Sequence, residues 1–154
     1  MEHLAAITER RPYNAVRDFV DANVEAGRGG KAAFREGGHS LTYGELQKES
    51  CRFASGLAAV GFGQESRMAM LALDTLAFPL VFWGAIRGGV VPIPLNTLLT
   101  TEQYVYMLED SRAAVLFVSE ALAKVVESAL SRVYSLRAVI IAGNKEALST
   151  GPIP

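Results

Sequence analysis

The chain has 154 residues, half of them hydrophobic and one fifth charged, which fits one domain but is rich in apolar residues for a soluble domain that stands alone. The formal net charge is −1 with both signs interspersed, so nothing favours nucleic acid or an acidic membrane surface as a partner. A single cysteine, Cys51, excludes an internal disulfide framework, and together with the lack of a recognisable secretory signal it predicts the cytoplasm.

The first part of the chain is predicted to form a helix and a β-hairpin. Asn14 suits the N-cap of a helix that ends at Gly27. The stretch KAAFREGGHSLTY then contains two short strands around a Gly-Gly pair, which is typical of a hairpin. The helix is predicted to have one apolar face, formed by Val16, Phe19, Val20 and Val24. Its solvent-facing side carries the acidic residues Asp18, Asp21 and Glu25.

A second helix is predicted to follow the hairpin. Thr42 and Glu45 have the spacing of a capping box, and Gly61 ends the helix. Cys51 lies in this helix without a histidine or second cysteine at catalytic or ligand spacing, so we expect a thiol packed against the helix surface and not a nucleophile. The predicted buried face consists of Leu46, Phe53, Ala54, Leu57 and Val60.

The segment 66–97 organises the rest of the chain. It contains an apolar strand (68–73), a helix that is apolar on all sides (76–87), a Gly88-Gly89 break and a second strand (90–95). A membrane span is the alternative, but Asp74 and Pro79 interrupt the apolar run. We therefore expect a buried β-α-β crossover with a parallel sheet.

Two more strand–helix units of similar length continue the pattern. One helix begins at Thr100 with Gln103 at its third position, and the other follows Ser119. The sequence thus predicts an α/β fold in which the strands near 67–73, 90–94, 114–118 and 138–142 are mutually parallel. Leu71, Phe82, Ile86 and Val91 are predicted core residues, as are Leu122, Val125, Val126, Ala129 and Leu130 on the last helix.

No residue pattern predicts a catalytic, cofactor-binding or metal-binding site in this chain. Asp74 follows the first parallel strand, where open sheets bind ligands, but an N-cap role is preferred. Gly88-Gly89 is interpreted as a helix end and not as a phosphate cradle, and His3 and His39 lack partners at ligand spacing. Phe78, Phe82 and Trp83 are core candidates first and ligand-stacking residues second.

Four stretches together carry a resemblance to a known family. The chain resembles the AMP-forming acyl- and aryl-CoA ligases of the adenylate-forming superfamily, and within them the benzoate-CoA ligases. The resemblance covers residues 13–143. Its matching stretches are YNAVRDFVDANVEAGRG (13–29), SLTYGEL (40–46), LDTLAFPLVFWGAIRGGVVPIPLNTLLT (73–100) and YMLEDSRAAVLFVSEAL (106–122).

The resemblance implies a two-step reaction for the longer protein, with ATP, Mg²⁺ and CoA taking part. An aromatic carboxylate attacks the α-phosphate of ATP to form an acyl-adenylate and pyrophosphate, and the CoA thiol then displaces AMP. Such chemistry needs amides, a lysine and Mg²⁺ around the phosphates. The family's phosphate loop, ribose-binding Asp and catalytic Lys have no counterpart in this sequence. The stretch most similar to the phosphate loop, STGPIP (149–154), lacks the lysine.

The resemblance also sets expectations for individual positions. Some relatives carry a basic residue where this chain has Leu98, so CoA binding is not carried over to that position. Arg87 matches a helix-end residue of the family. A cation in the last turn of a helix interacts favourably with the helix dipole, which is a sufficient structural reason for this arginine.

We expect residues 1–154 to be the N-terminal segment of an AMP-binding domain, incomplete and inactive alone, with 144–154 as a linker or cut end. The missing remainder of the domain and an aromatic acid are the expected partners, and an uncovered sheet edge predicts self-association. The alternatives are a free-standing α/β interaction or regulatory module, and a small nucleotide-binding domain that uses Asp74.

Overall fold

The computed structural model describes residues 13–143, in which an N-terminal helical segment precedes a two-stranded hairpin and a four-stranded sheet. The predicted α/β class is confirmed. The strands are β1 (Ala32–Glu36), β2 (His39–Thr42), β3 (Arg67–Leu71), β4 (Val91–Pro94), β5 (Val115–Ser119) and β6 (Ala138–Ala142), and the α-helices are α1 (Tyr43–Ala59), α2 (Ala77–Arg87), α3 (Thr101–Ser111) and α4 (Ala123–Leu130).

The N-terminal helical segment begins after Asn14, as predicted. The Oδ1 atom of Asn14 accepts a hydrogen bond from the backbone N–H of Val16 at 3.0 Å, which is the contact of an N-cap. The segment is not a regular α-helix, because it contains two π-helical stretches, Arg17–Asp21 and Val24–Arg28. Gly27 has a φ of +75°, a left-handed conformation that breaks the helical path at the predicted residue.

The hairpin and α1 follow the local sequence signals. Strands β1 and β2 pair antiparallel, and the capping box at the start of α1 is present with both of its hydrogen bonds. After α1, Gly61 adopts a φ of +83°, and the N–H of Phe62 donates to the carbonyl of Leu57 at 2.9 Å. This arrangement is a Schellman motif, so the predicted end of the helix is confirmed.

The four-stranded sheet has the order β4-β3-β5-β6, and all three strand pairs are parallel. The predicted parallel arrangement is therefore confirmed. Helix α3 also begins as predicted, because Thr100 and Gln103 form a second capping box. A short 3₁₀ turn, Glu120–Leu122, precedes α4.

Side chains of the central strands alternate between two cores, one on each face of the sheet. Ala69 and Leu71 of β3 face a core formed largely with α3 and α4. Met68 and Met70 face a second core formed with α1 and α2. Because a parallel strand between two helix layers is covered on both faces, β3 and β5 read as nearly continuous apolar runs.

Two predicted core residues are exposed in the structure, so the prediction is wrong for them. Val91 is 40% exposed because β4 is an edge strand, a position that the spacing of apolar residues does not encode. Val125 is also 40% exposed, because α4 is short and packs mainly through Val126 and Ala129. Leu71 is fully buried as predicted.

Helix α2 is less enclosed than its composition predicts. Of its eleven residues, Pro79, Val81, Gly84 and Ala85 are buried, whereas Phe82 and Ile86 are half-buried. Phe82 lines a groove that is described below. Over the stretch from 13 to 143, none of the helices combines the length and the apolar character that a membrane span requires.

Candidate functional site

A groove of about 390 Å³ lies where β3 ends and α2 begins, beside the β1–β2 hairpin. Open parallel sheets bind ligands at the carboxyl ends of their strands, which makes this place the first candidate for a site. We call it the aromatic groove, because four aromatic side chains line it. They are Phe34 of β1 and Phe78, Phe82 and Trp83 of α2.

The aromatic side chains contact one another along α2. The rings of Phe78 and Phe82 stack with centroids 6.3 Å apart, and Phe82 meets Trp83 edge to face at 5.5 Å. On the other side of Trp83, Phe19 stacks against the indole at 5.7 Å although Phe19 is itself exposed. The prediction that Phe78, Phe82 and Trp83 are core residues holds only in part, because their rings are half-buried and form an apolar wall of the groove.

The start of α2 is capped by the hairpin and not by Asp74. The Oε2 atom of Glu36 accepts a hydrogen bond from the backbone N–H of Leu76 at 2.7 Å, and the N-cap residue of α2 makes no side-chain capping bond. The predicted N-cap role of Asp74 is therefore wrong. Asp74 is instead exposed and lines the aromatic groove. The physical reason is that α2 begins at Ala77, three residues further along, so the Asp74 side chain is displaced from the first turn.

The charges at the aromatic groove do not suit a phosphate. Its ionisable side chains are Arg35, Glu36 and Asp74, two carboxylates and one guanidinium, and no lysine lines it. Anion sites are usually formed by amide-rich loops or converging cations. The groove also contains no cysteine, histidine or serine that could act as a nucleophile. What the arrangement can do is bury apolar surface.

The opposite end of α2 carries a polar network that joins three segments. The guanidinium of Arg87 donates to both carboxylate oxygens of Asp21, at 2.7 and 3.1 Å, and to the hydroxyl of Ser50 at 3.0 Å. Gln47 of α1 also donates to Asp21, at 3.0 Å. Asn14 closes the network, because its Nδ2 donates to the carbonyl of Ile86 at 2.7 Å. The prediction that Asp21 lies on the solvent-facing side of its helix is therefore wrong.

The network sets the charge state of Asp21. Burial by itself raises the pKa of this carboxyl, but the hydrogen bonds from Arg87 and Gln47 and the positive charge of Arg87 outweigh it. The pKa of Asp21 therefore lies below its usual value. Ser50 is fully buried and its hydroxyl is satisfied on both sides, since it also donates to the carbonyl of Gln47. Such a network ties α1, α2 and the N-terminal helical segment together.

The Gly88-Gly89 break ends α2 as predicted. Gly89 has a φ of +74°, its N–H donates to the carbonyl of Ile86, and the N–H of Val90 donates to that of Ala85 at 2.9 Å. A β-carbon at Gly89 would lie 3.1 Å from the Cα of Gln64. These are the bonds of a helix end, so the backbone amides are used within the chain.

The remaining candidate residues lie apart from one another. Cys51 is exposed on the outer side of α1, so the predicted packing role is wrong, because its neighbours Leu46 and Leu57 mark the buried face instead. His39 is exposed in β2, and Leu98 is 89% exposed in the loop before α3. His3 and the stretch 149–154 lie outside the described residues. Between residues 13 and 143, no three His, Cys, Asp or Glu side chains come together as a metal site.

The geometry of the described residues does not identify a protein family, but comparison with known proteins does. The sequence profile of the AMP-binding enzyme family matches residues 20–153. The 4-hydroxybenzoate–CoA/benzoate–CoA ligase of Rhodopseudomonas palustris (strain ATCC BAA-98 / CGA009) is 50% identical over 137 residues, which are 89% of this chain and 25% of that protein. The benzoate–CoA ligase of Thauera aromatica is 42% identical over 132 residues, 85% of this chain and 25% of that protein.

The fold matches as well. The crystal structure of a benzoate CoA ligase from Burkholderia xenovorans LB400 superimposes with a TM-score of 0.77 and 39% identity, over 84% of this chain and 26% of that one. The chain therefore spans about a quarter of the length of the relatives that it matches.

Proposed function

Because this chain belongs to the AMP-binding enzyme family, we propose that it forms the N-terminal segment of an AMP-forming ligase that joins benzoate or a close analogue to CoA. The observation that carries the proposal is the identity of 50% and 42% to two ligases whose names state benzoate. Both matches extend over at least 85% of the chain. A structural match at 39% identity to a third benzoate CoA ligase supports the same conclusion.

The proposed reaction uses ATP, Mg²⁺ and CoA in the longer protein. Adenylation of the aromatic carboxylate releases pyrophosphate, and the CoA thiol then displaces AMP; both steps need cations and amides around the phosphates. The side chains between residues 13 and 143 do not fit these groups, because they form no metal site and their groove at β3 carries two carboxylates against one guanidinium. We therefore assign no chemical step to the described residues.

The segment acts in this proposal as a scaffold. The Arg87 network fixes α2 to α1 and to the N-terminal helical segment, and the two apolar cores hold the parallel sheet. The alternative of a nucleotide-binding domain at Asp74 is disfavoured by the charges of the aromatic groove. The alternative of a free-standing module is disfavoured because the matched relatives are about four times longer. In this proposal the ligase is cytoplasmic; the single cysteine among these 154 residues and the need for ATP support that assignment.

A chimeric enzyme tests the proposal. The matched first quarter of the Rhodopseudomonas palustris ligase is replaced by this chain, and benzoate-dependent formation of AMP and benzoyl-CoA is measured. We expect kcat/KM for benzoate within about tenfold of the parent ligase, since differences confined to a scaffold perturb the active site indirectly. We also expect benzoate to be preferred over acetate. The control is the same ligase without its first quarter, which should be inactive. A chimera that folds cooperatively but forms no benzoyl-CoA would contradict the proposal.

A further inference from the structure

Three exposed arginines lie together at the end of the sheet where β3, β5 and β6 begin. Arg67 opens β3, and its backbone carbonyl accepts the N–H of Ala114 at 2.9 Å. The carbonyl of Ala114 in turn accepts the N–H of Arg137 at 2.8 Å. Because neighbouring strands lie about 4.8 Å apart, the backbones of Arg67 and Arg137 are about 10 Å from each other. The third arginine, Arg112, directly follows α3 and precedes Ala114 by two positions.

These arginines are not paired with carboxylates of the described chain. Between residues 13 and 143, the ion pairs involve three other arginines, and Arg67, Arg112 and Arg137 take part in none. Glu65 and Asp110 each lie only two positions from one of the three, yet neither forms an ion pair with it. This end of the sheet therefore carries three exposed guanidinium groups whose charges are available to an anion.

Two of the guanidinium groups are held by uncharged partners. Arg67 donates to the carbonyl of Ser111, the last residue of α3, at 3.0 Å. Arg137 lies over the buried ring of Phe62, with its guanidinium carbon 5.0 Å from the ring centre. Such contacts restrict the motion of an arginine side chain without neutralising it. The two charges are therefore positioned and still unpaired.

Arg112 occupies a backbone position that does not favour arginine. Its φ is +51°, the left-handed conformation in which a helix usually ends with glycine or asparagine. A cation in the last turn of α3 would meet the helix dipole without this strain. Within the part of the chain that the structure describes, the Arg112 side chain also forms no hydrogen bond or ion pair. The described contacts thus give this side chain no role inside the fold.

Tyr134 adds an aromatic ring to the same surface. The residue is 93% exposed, and its backbone N–H donates to the carboxylate of Glu109, in the last turn of α3. Tyr134 is therefore held beside the end of α3, where Arg112 follows, and it precedes Arg137 by three positions. Exposed tyrosine and arginine side chains side by side are typical of the residues that dominate protein–protein binding. We call Arg67, Arg112, Tyr134 and Arg137 the arginine face.

We propose that the arginine face docks a separate protein through an acidic surface of that protein. Guanidinium groups match carboxylates in geometry and charge, and protein interfaces are enriched in arginine and tyrosine but depleted in lysine, which is absent from this face. Anionic membranes are recognised by clusters of about four to eight basic residues, more than this face offers. A second copy related by twofold symmetry would bring the same arginines together and be repelled. The proposed function is not needed for this docking.

Binding of a model acidic peptide tests the proposal. The probe is a short fluorescent peptide of glutamate and leucine, and the same peptide with glutamine in place of glutamate is its control. Anisotropy at low salt should show saturable binding of the glutamate peptide to the 154-residue chain. Replacing Arg67, Arg112 and Arg137 together by glutamine should weaken this binding at least about tenfold, because each removed charge lowers attraction to the carboxylates. Equal binding of the glutamate and glutamine peptides would overturn the proposal.

A matched triple variant separates the arginine face from general charge. Arg17, Arg28 and Arg52 are exposed arginines elsewhere on the chain, and replacing all three by glutamine changes the net charge by the same amount. This control should alter peptide binding by less than about twofold. Equal losses in the two triple variants would overturn the proposal.

Two single variants keep the test independent of folding. Arg112→Gln removes no side-chain bond of the described structure and should weaken binding about threefold. Tyr134→Ala leaves the charge unchanged and should also weaken binding about threefold, since an aromatic ring contributes contact area at an interface. No effect of Tyr134→Ala would show simple attraction of anions and overturn the proposal. Tighter binding to phosphatidylserine vesicles or duplex DNA than to the peptide, or self-association abolished by the arginine-face triple variant, would do the same.

The chimera described above shows whether the face stays accessible in a full-length ligase. It should bind the glutamate peptide within about threefold of the isolated chain, because the docking surface is intact in both. A folded chimera that does not bind the peptide would overturn the docking proposal even if it forms benzoyl-CoA. A chimera that binds the peptide but forms no benzoyl-CoA would contradict the proposed function and support the docking.

Discussion

The two ends of α2 are held in different ways. At its C-terminal end, Gly89 completes a Schellman motif and Arg87 bonds Asp21 and Ser50, so residues from three segments converge. At its N-terminal end, one carboxylate from the hairpin, that of Glu36, accepts the N–H of Leu76, and the aromatic rings beside it remain half-buried. The comparison shows that polar contacts within this chain fix the C-terminal end, whereas the N-terminal end keeps half-buried aromatic rings beside the aromatic groove.

The largest expected effect concerns the C-terminal end. Arg87→Met removes three side-chain hydrogen bonds and leaves the half-buried Asp21 without its counter-ion, so we expect a loss of about 2–3 kcal/mol in the free energy of unfolding. Urea denaturation followed by circular dichroism measures it. Arg52→Met, which breaks the exposed pair with Glu49, is the control and should change stability by less than about 1 kcal/mol. If Arg87→Met and Arg52→Met lowered the free energy of unfolding by the same amount, the Arg87 network would not stabilise the fold as stated.

The next effect concerns the aromatic groove. Phe82→Ala should cost about 2 kcal/mol in the isolated chain, less than the roughly 3–5 kcal/mol of a fully buried aromatic, because Phe82 is only half-buried. In the chimera the cost should rise toward the full value if the longer protein covers the groove. Thermal unfolding of both proteins provides the comparison. The same small cost in both would show that the groove stays open.

A smaller effect concerns the cap on α2. Glu36→Ala removes the acceptor for the N–H of Leu76 and should cost about 1 kcal/mol. Glu36→Gln retains an acceptor oxygen and should cost about half as much, since only the charge near the helix N-terminus is lost. Denaturation curves of the two variants against the parent chain test this. If alanine and glutamine gave the same stability, the hydrogen bond would not contribute.

The smallest effect is a pH dependence at Asp21. The pKa of Asp21 is lowered in the folded chain, so its contribution is fully present above about pH 4, the usual value for an unfolded aspartate, and is lost as the pH falls through the folded value. Asp21→Asn cannot ionise. The stability difference between the parent and this variant should therefore be constant from about pH 7 to 5 and should shrink below about pH 4. A difference that grows in acid would contradict the assigned charge state.

The features that the sequence predicts correctly are those set by neighbouring residues. Thr42 with Glu45 and Thr100 with Gln103 form their capping boxes because the partners lie within one helical turn. The alternation of strands and helices leads in the same way to the parallel sheet, because each connection contains a helix.

The features that the sequence does not predict depend on distant partners. Glu36 bonds the N–H of Leu76, 40 residues later in the chain, and Asp21 and Arg87 are 66 positions apart. Their spacing contains no signal, because the fold alone brings them together. The exposure of Val91 likewise follows from the order of strands in the sheet. The two prolines of β4 are the signal that could have marked it as an edge strand.

The central proposal is that this segment supplies scaffold to an aryl-CoA ligase and itself performs no chemical step. The most direct measurement is benzoate-dependent pyrophosphate release, with calorimetric titration of ATP, on the purified 154-residue chain beside the chimera. Since loss of one transition-state donor already costs about 10²–10³ in rate, a chain that lacks the phosphate loop and catalytic lysine should release pyrophosphate only at background. We predict no saturable ATP binding by the chain and benzoate-dependent turnover by the chimera. Saturable ATP binding by the chain alone would contradict the account and favour a nucleotide site near Asp74.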